Sequence, residues 1–117
     1  MKWSQYPESV EGGNFDTLVV ALEPEDVEVL QSAEIIYREL RARGYKVLFD
    51  DRPLAAQVKR DDRGRFPNGW AVEIGHEGLS RDGCAELVEL ASGASESVRL
   101  EEVVEKLEEK CRRAPLA

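Results

Sequence analysis

Residues 46 to 65, KVLFDDRPLAAQVKRDDRGR, place carboxylates and cations side by side and contain the tripeptide Asp-Asp-Arg twice, as Asp50-Asp51-Arg52 and Asp61-Asp62-Arg63. A carboxylate accepts hydrogen bonds from the exocyclic amines of bases, while arginine and lysine donate to guanine O6 and N7 or to phosphate. Asp50, Asp51 and Arg52 are therefore candidates for reading base edges. The same three residues support an equally simple alternative, in which one aspartate caps the following turn and Arg52 pairs with the other. A divalent cation on Asp50-Asp51 is a weaker reading, because Arg52 follows at once and no third acidic residue has a suggestive spacing.

Other chemistry finds less support. His76 is the single histidine, in a glycine-flanked stretch beside Glu77, and no serine or cysteine lies in a recognisable nucleophile motif. Neither GxGxxG nor a P-loop occurs, and Gly12-Gly13 precedes the first strand instead of following it. Cys84 and Cys111 do not have a metal-ligand or redox spacing. The expectation is a chain that is not an enzyme and uses no metal or cofactor.

The elements that must position these residues follow from patterning. TLVVAL (17–22) is a continuous β-branched run, as in a strand buried on both faces. Pro24 and the acids around it suit a first helical turn. Val29, Ala33, Ile36 and Leu40 then make one apolar stripe, and Gly44 fits a left-handed cap after about Arg43. KVLFD (46–50) is the next strand, so strand, helix and strand form a βαβ unit with parallel strands. A short helix after Pro53 is expected to end at Asp61-Asp62-Arg63 and run into Gly64. WAVEIG (70–75) and CAELVEL (84–90) read as strands, HEGLSRDG as a connection, and SVRL (97–100) as an edge strand or a lead-in. A last helix spans about 100 to 112. The predicted order is β-α-β-(α)-β-β-(β)-α, an α/β sandwich with a mixed sheet and helices packed on it. Residues 1–15 read as a flexible lead-in in which Trp3 and Tyr6 are able to pack back, 16–113 as one domain, and 114–117 as a tail. In such sheets ligands bind outside the carboxyl ends of parallel strands, which is where Asp50-Asp51-Arg52 falls. The second tripeptide lies at a helix end, which leaves Arg60, Arg63 and Arg65 at most contacts to an RNA backbone.

The 117 residues carry a net charge of −8, against the usual basic character of a nucleic-acid binder. The charge is uneven: residues 38 to 65 hold nine basic and five acidic residues, a balance of +4, which leaves −12 for the rest. No apolar run is long enough for a membrane span and the N-terminus has no secretory h-region, so the expectation is a cytoplasmic protein with reduced thiols.

The ordered text AEIIYRELRARGYKVLFDDR, VKR, WAVEIGHEGLSRDG and VRLEEVVEKLEEK resembles the anticodon-binding domain of class II aminoacyl-tRNA synthetases, nearest to the prolyl enzymes, over about residues 17 to 112. In that family a strand runs into Asp-Asp-Arg, a lysine-containing segment follows, and a later strand ends in Glu-Ile-Gly or Val-Gly. The resemblance implies a fold of that type, and RNA-binding positions at Asp50, Asp51, Arg52 and Lys59. It implies tRNA or another RNA as the partner, with no DNA expected. The family's Gly-x-Lys-Phe segment is Gln57-Val58-Lys59-Arg60 here, which keeps only the lysine, and no catalytic domain accompanies the match. The expected function is thus a non-catalytic RNA-binding domain, free-standing or excised. The alternative is a domain of the same fold acting as a protein-interaction or dimerisation module.

Overall fold

A computed structural model describes residues 2–3, 15–62, 66 and 68–113, the last two of these by their backbone only. Its elements are β1 (Thr17–Ala21), α1 (Val27–Ala42), β2 (Val47–Asp50), α2 (Ala56–Asp62), β3 (Trp70–Ile74), α3 (His76–Asp82), β4 (Cys84–Glu89), β5 (Ser95–Arg99), a 3-10 turn (Leu100–Glu102) and α4 (Val103–Arg113). The strands form one mixed sheet in the order β2-β1-β3-β4-β5. β1 is parallel to both β2 and β3, and β4 is antiparallel to β3 and β5. This is the mixed α/β arrangement expected from the sequence. Among the described residues no helix is long and apolar enough to cross a membrane.

The continuous apolar character of β1 has the cause its composition suggests. It lies inside the sheet, all five of its residues are buried, and both faces are covered. Val19 and Ala21 face a larger core with Val47, Phe49, Val72, Ile74 and Leu87. That face is covered by the α1 stripe Val29, Ala33, Ile36, Tyr37 and Leu40 and by Val103, Val104 and Leu107 of α4. Leu18 and Val20 face a smaller core with Leu48, Ala71 and Val88, closed by Trp3 and Phe66. α1 starts at Asp26, whose Oδ1 accepts from the N–H groups of Glu28 and Val29, and ends before Gly44.

One segment differs from the sequence-based reading. HEGLSRDG is not a plain connection but the helix α3, ended by Gly83 in the left-handed region at φ 64°. Leu79 is its one apolar contact with the core, so a seven-residue helix leaves almost no periodic signal. At the N-terminus Trp3 packs back on the domain, as the sequence allows: Lys2 bridges to Phe49 beside β2, and Trp3 is 1% exposed. Tyr6 lies outside the described residues.

Gly69 fixes the entry to β3. Its φ is +98°, and a Cβ there would stand 2.3 Å from the Asp16 carbonyl oxygen, which accepts from Trp70 N. Gly44 has a similar φ of +96° with open space around it. Gly69→Ala therefore combines backbone strain with a clash and should cost about 3 kcal/mol or more. Gly44→Ala carries the strain alone, about 1–2 kcal/mol. Urea unfolding of both variants checks the difference, and equal losses would show that the Asp16 contact is not restrictive.

Candidate nucleic-acid interface

The parallel register sets Asp50 and Glu73 on either side of Val20, and Glu86 of β4 opposite Glu73. A row of three carboxylates thus crosses the smaller-core face near the carboxyl ends of β1, β2 and β3. Asp50 is 1% and Glu73 5% exposed. Buried carboxylates are costly without partners, and the partners come from the segment that follows β2.

Arg52 turns back on its own tripeptide. Its Nε and Nη2 donate to the two oxygens of Asp50, both at 2.8 Å, and Nη2 also lies 2.9 Å from Asp62 Oδ2. The guanidinium sits 3.5 Å over the Trp3 ring, and Trp3 packs edge-on against Phe66 with centroids 5.8 Å apart. A planar cation is thereby held at its edge by carboxylates and on one face by an indole. The bond to Asp50 raises the Arg52 pKa above its ordinary value. The two Asp-Asp-Arg copies are joined, since the arginine of the first pairs with an aspartate of the second.

α2 lies over this row with an inverted polarity. Lys59 is its buried residue, whereas Val58 and, just before the helix, Leu54 are 43% and 40% exposed. The lysine points inward because acceptors lie beneath it: Nζ donates to the Ala21 carbonyl oxygen at the end of β1. Burial pushes the Lys59 ammonium below its usual pKa, Asp50 opposes that, and Arg52 adds to it. Arg60 is closer to the surface, with Nε 3.7 Å from Glu73 Oε1 and its side chain 45% exposed. Asp51 is half-buried at the end of β2. Asp50, Asp51, Arg52, Lys59 and Arg60 are therefore brought to one end of the sheet. Arg63 and Arg65 lie outside the described residues.

Next to Arg60 a cleft of about 240 Å³ opens over the ends of β1 and β3, lined by Leu22, Glu23, Glu73, Glu86 and Arg81 among others. Glu23 accepts from His76 N, and Asp26 Oδ2 lies 2.7 Å from His76 Nδ1. Desolvation raises the Asp26 carboxyl, but hydrogen bonds from His76, Val29 and Glu28 outweigh it and hold the pKa below its ordinary value. His76 Nε2 is 3.3 Å from Ser80 Oγ, which completes an Asp–His–Ser chain. Neither His76 nor Ser80 lines the cleft. Asp26 spends its other oxygen capping α1, so the chain ties the start of α1 to α3. Among the described residues no group of three or more His, Cys, Asp or Glu is placed to hold a metal ion.

Sequence reasoning missed Trp3, Asp62, Glu73 and Glu86 as parts of this end of the sheet. Glu73 left a signal, a charge between buried residues of β3. Trp3 left none, because its partners are 49 and 63 positions away.

The fold agrees with what comparison with known proteins finds. The family profile described as "Anticodon binding domain" matches residues 16–110. The proline–tRNA ligase of Exiguobacterium sibiricum is 36% identical over 91 residues, 78% of this chain and 16% of that protein. That of Nitrobacter winogradskyi is 34% identical over 107 residues, 92% of this chain and 23% of that protein. A third, from Rhodopseudomonas palustris, is 35% identical over 107 residues, with the same coverage of 92% and 23%. The chain thus spans about a sixth to a quarter of the length of these curated relatives.

The ion-pair geometry makes two stability predictions. Arg52→Ala leaves Asp50 buried without its cation and should cost about 3–5 kcal/mol. Lys59→Met should act through pH. A lysine whose pKa is depressed in the folded state penalises folding while it must stay charged, and the penalty fades as pH rises toward the unfolded value of 10.5. The stability of wild type relative to Lys59→Met should therefore climb as pH rises through that window. Denaturant titrations at a series of alkaline pH values measure it, and a flat difference would contradict the buried ammonium.

Proposed function

The chain belongs to the anticodon-binding domain family, and from that premise we propose that it is a non-catalytic tRNA-binding domain of the prolyl type, working alone or within a longer cytoplasmic protein. The observation that carries this reading is the charged row at the carboxyl ends of β1, β2 and β3, the place where open α/β sheets bind ligands.

The residues divide by position. Asp50, Arg52 and Lys59 brace the platform, because Asp50 and Lys59 are each 1% exposed and the Arg52 side chain 14%. Glu73, 5% exposed, belongs with them, whereas Asp51 and the cleft carboxylates Glu23 and Glu86 repel phosphate but accept hydrogen bonds from base amines. Arg60 and Arg81 are the cations that line the cleft, Arg81 being paired with Glu77 and Asp82, and Arg60 is proposed with Arg63 and Arg65 as a phosphate contact. Base edges thus face carboxylates while the strand backbone runs past arginines. Single-stranded loops, whose bases splay outward, suit this division better than a duplex does. The protein-interaction alternative draws on one observation, that Arg52 and Lys59 are neutralised or buried inside the domain, which removes them from phosphate binding.

With three arginines on phosphates, the affinity should fall with salt at a log–log slope of about −2 to −3. Fluorescence anisotropy of a labelled proline tRNA transcript tests this. Arg60→Ala should weaken binding and make the slope shallower by about 1. Absence of binding at micromolar protein and low salt would overturn the proposal in favour of the interaction module.

A further inference from the structure

The two edges of the sheet are treated differently. Along β2, Lys2 bridges to Phe49, so a residue of the chain itself occupies that edge, with Trp3 next to it in sequence buried in the smaller core. At the other end β5 pairs with β4, and among the described residues nothing pairs with its outer side. Glu89 N donates to the Ala94 carbonyl and Leu100 N to the Gly83 carbonyl. The antiparallel alternation then turns the backbone groups of Glu96 and Val98 toward β4, and those of Ser95, Ser97 and Arg99 outward. Three outward N–H and C=O pairs in succession are a template for an added strand.

Beside this edge lies a groove of about 470 Å³, lined by Glu96, Arg99, Glu102, Glu105, Lys106 and Glu109 among others. Four carboxylates face two cations there. Glu102, Glu105 and Glu109 are spaced three and four residues apart, which puts them on one side of the 3-10 turn and α4. Over those seven residues a helix rises about 10 Å. Residues on one side of an extended strand recur about every 6.7 Å, so three basic side chains at alternate positions cover the stripe.

Charge selects the occupant. A second copy pairing through β5 would bring the same carboxylates to the seam, and nucleic acid would meet a negative wall. We propose that the β5 edge and this groove bind an extended, lysine- or arginine-rich segment of another protein, added to the sheet as a further strand with alternate basic side chains directed at Glu102, Glu105 and Glu109. This surface lies at the far edge of the sheet from β2 and does not rest on the tRNA reading.

The probe is a capped eight-residue peptide alternating lysine and valine, titrated into the ¹⁵N-labelled chain at low salt with amide hydrogen exchange as readout. Binding should slow exchange at Ser95, Ser97 and Arg99 at least tenfold and leave Glu96 and Val98, already bonded to β4, little changed. A peptide of equal charge with prolines in place of the valines should bind at least tenfold more weakly, because it lacks the donors for the ladder. Glu102→Gln/Glu105→Gln/Glu109→Gln, three substitutions on the groove side, should weaken the lysine–valine peptide by a similar factor. Equal binding of the proline peptide would mean charge attraction without strand addition and would overturn the proposal, as would no binding of either. Protection of Ser95, Ser97 and Arg99 that grows with protein concentration in the absence of peptide would assign the edge to a second copy instead.

Discussion

The arrangement at the carboxyl ends of this domain's parallel strands depends on one interaction, the grip of Arg52 on Asp50. A carboxylate at the end of a buried strand needs a partner, and Arg52 supplies a two-bonded one from two residues away. Once the guanidinium is fixed there, its remaining surfaces recruit other parts of the chain. Trp3 stacks on its face and Asp62 meets its edge, so the N-terminal segment and the end of α2 converge on one side chain. α2 then lies close enough for Lys59 to reach the Ala21 carbonyl. The smaller core is accordingly closed by two aromatic rings and a charged layer, where the larger is closed by two apolar helix faces.

This changes the meaning of the basic window between residues 38 and 65. Its +4 balance suggests a surface for phosphates, yet Arg52 and Lys59 face inward. Arg38 and Arg43 pair with glutamates one helical turn back, and Arg43 also reaches Glu108. What the end of the sheet offers a ligand is mainly carboxylates with Arg60 at the margin, a surface better matched to base amines than to a continuous backbone. Elsewhere the acidic excess gathers beside β5 and α4. The strand ends and the β5 edge therefore present different chemistry, and Cys84 and Ser97 lie between them, lining both the cleft and the groove.

Most of the fold was legible in the sequence wherever a period was expressed. The apolar run of β1, the stripe from Val29 to Leu40 and the face of α4 containing Val103, Val104 and Leu107 each stated their burial directly. The position of Asp50-Asp51-Arg52 at a strand end was legible for the same reason. α3 was not, because one half-buried leucine makes no period. The orientation of α2 was not either: helices ordinarily bury valine and expose lysine, and here the Ala21 carbonyl, with Asp50 nearby, reverses that preference. The contacts of Arg52 with Trp3 and Asp62 are set by tertiary folding across 49 and 10 positions, and no local spacing encodes them. Of the two sequence-level readings of the first tripeptide, internal pairing is present between Arg52 and Asp50.

The central claim is that the strand ends braced by Arg52 form the surface that meets RNA. Mapping amide shifts of the labelled chain during titration with a proline tRNA transcript tests it most directly. Shifts concentrated in Asp50 to Asp62, around Glu73 and Glu86 and at the Trp3 indole, and reversed by added salt, are the predicted result. Shifts confined to β5 and α4, or an unchanged spectrum at saturating tRNA, would contradict it.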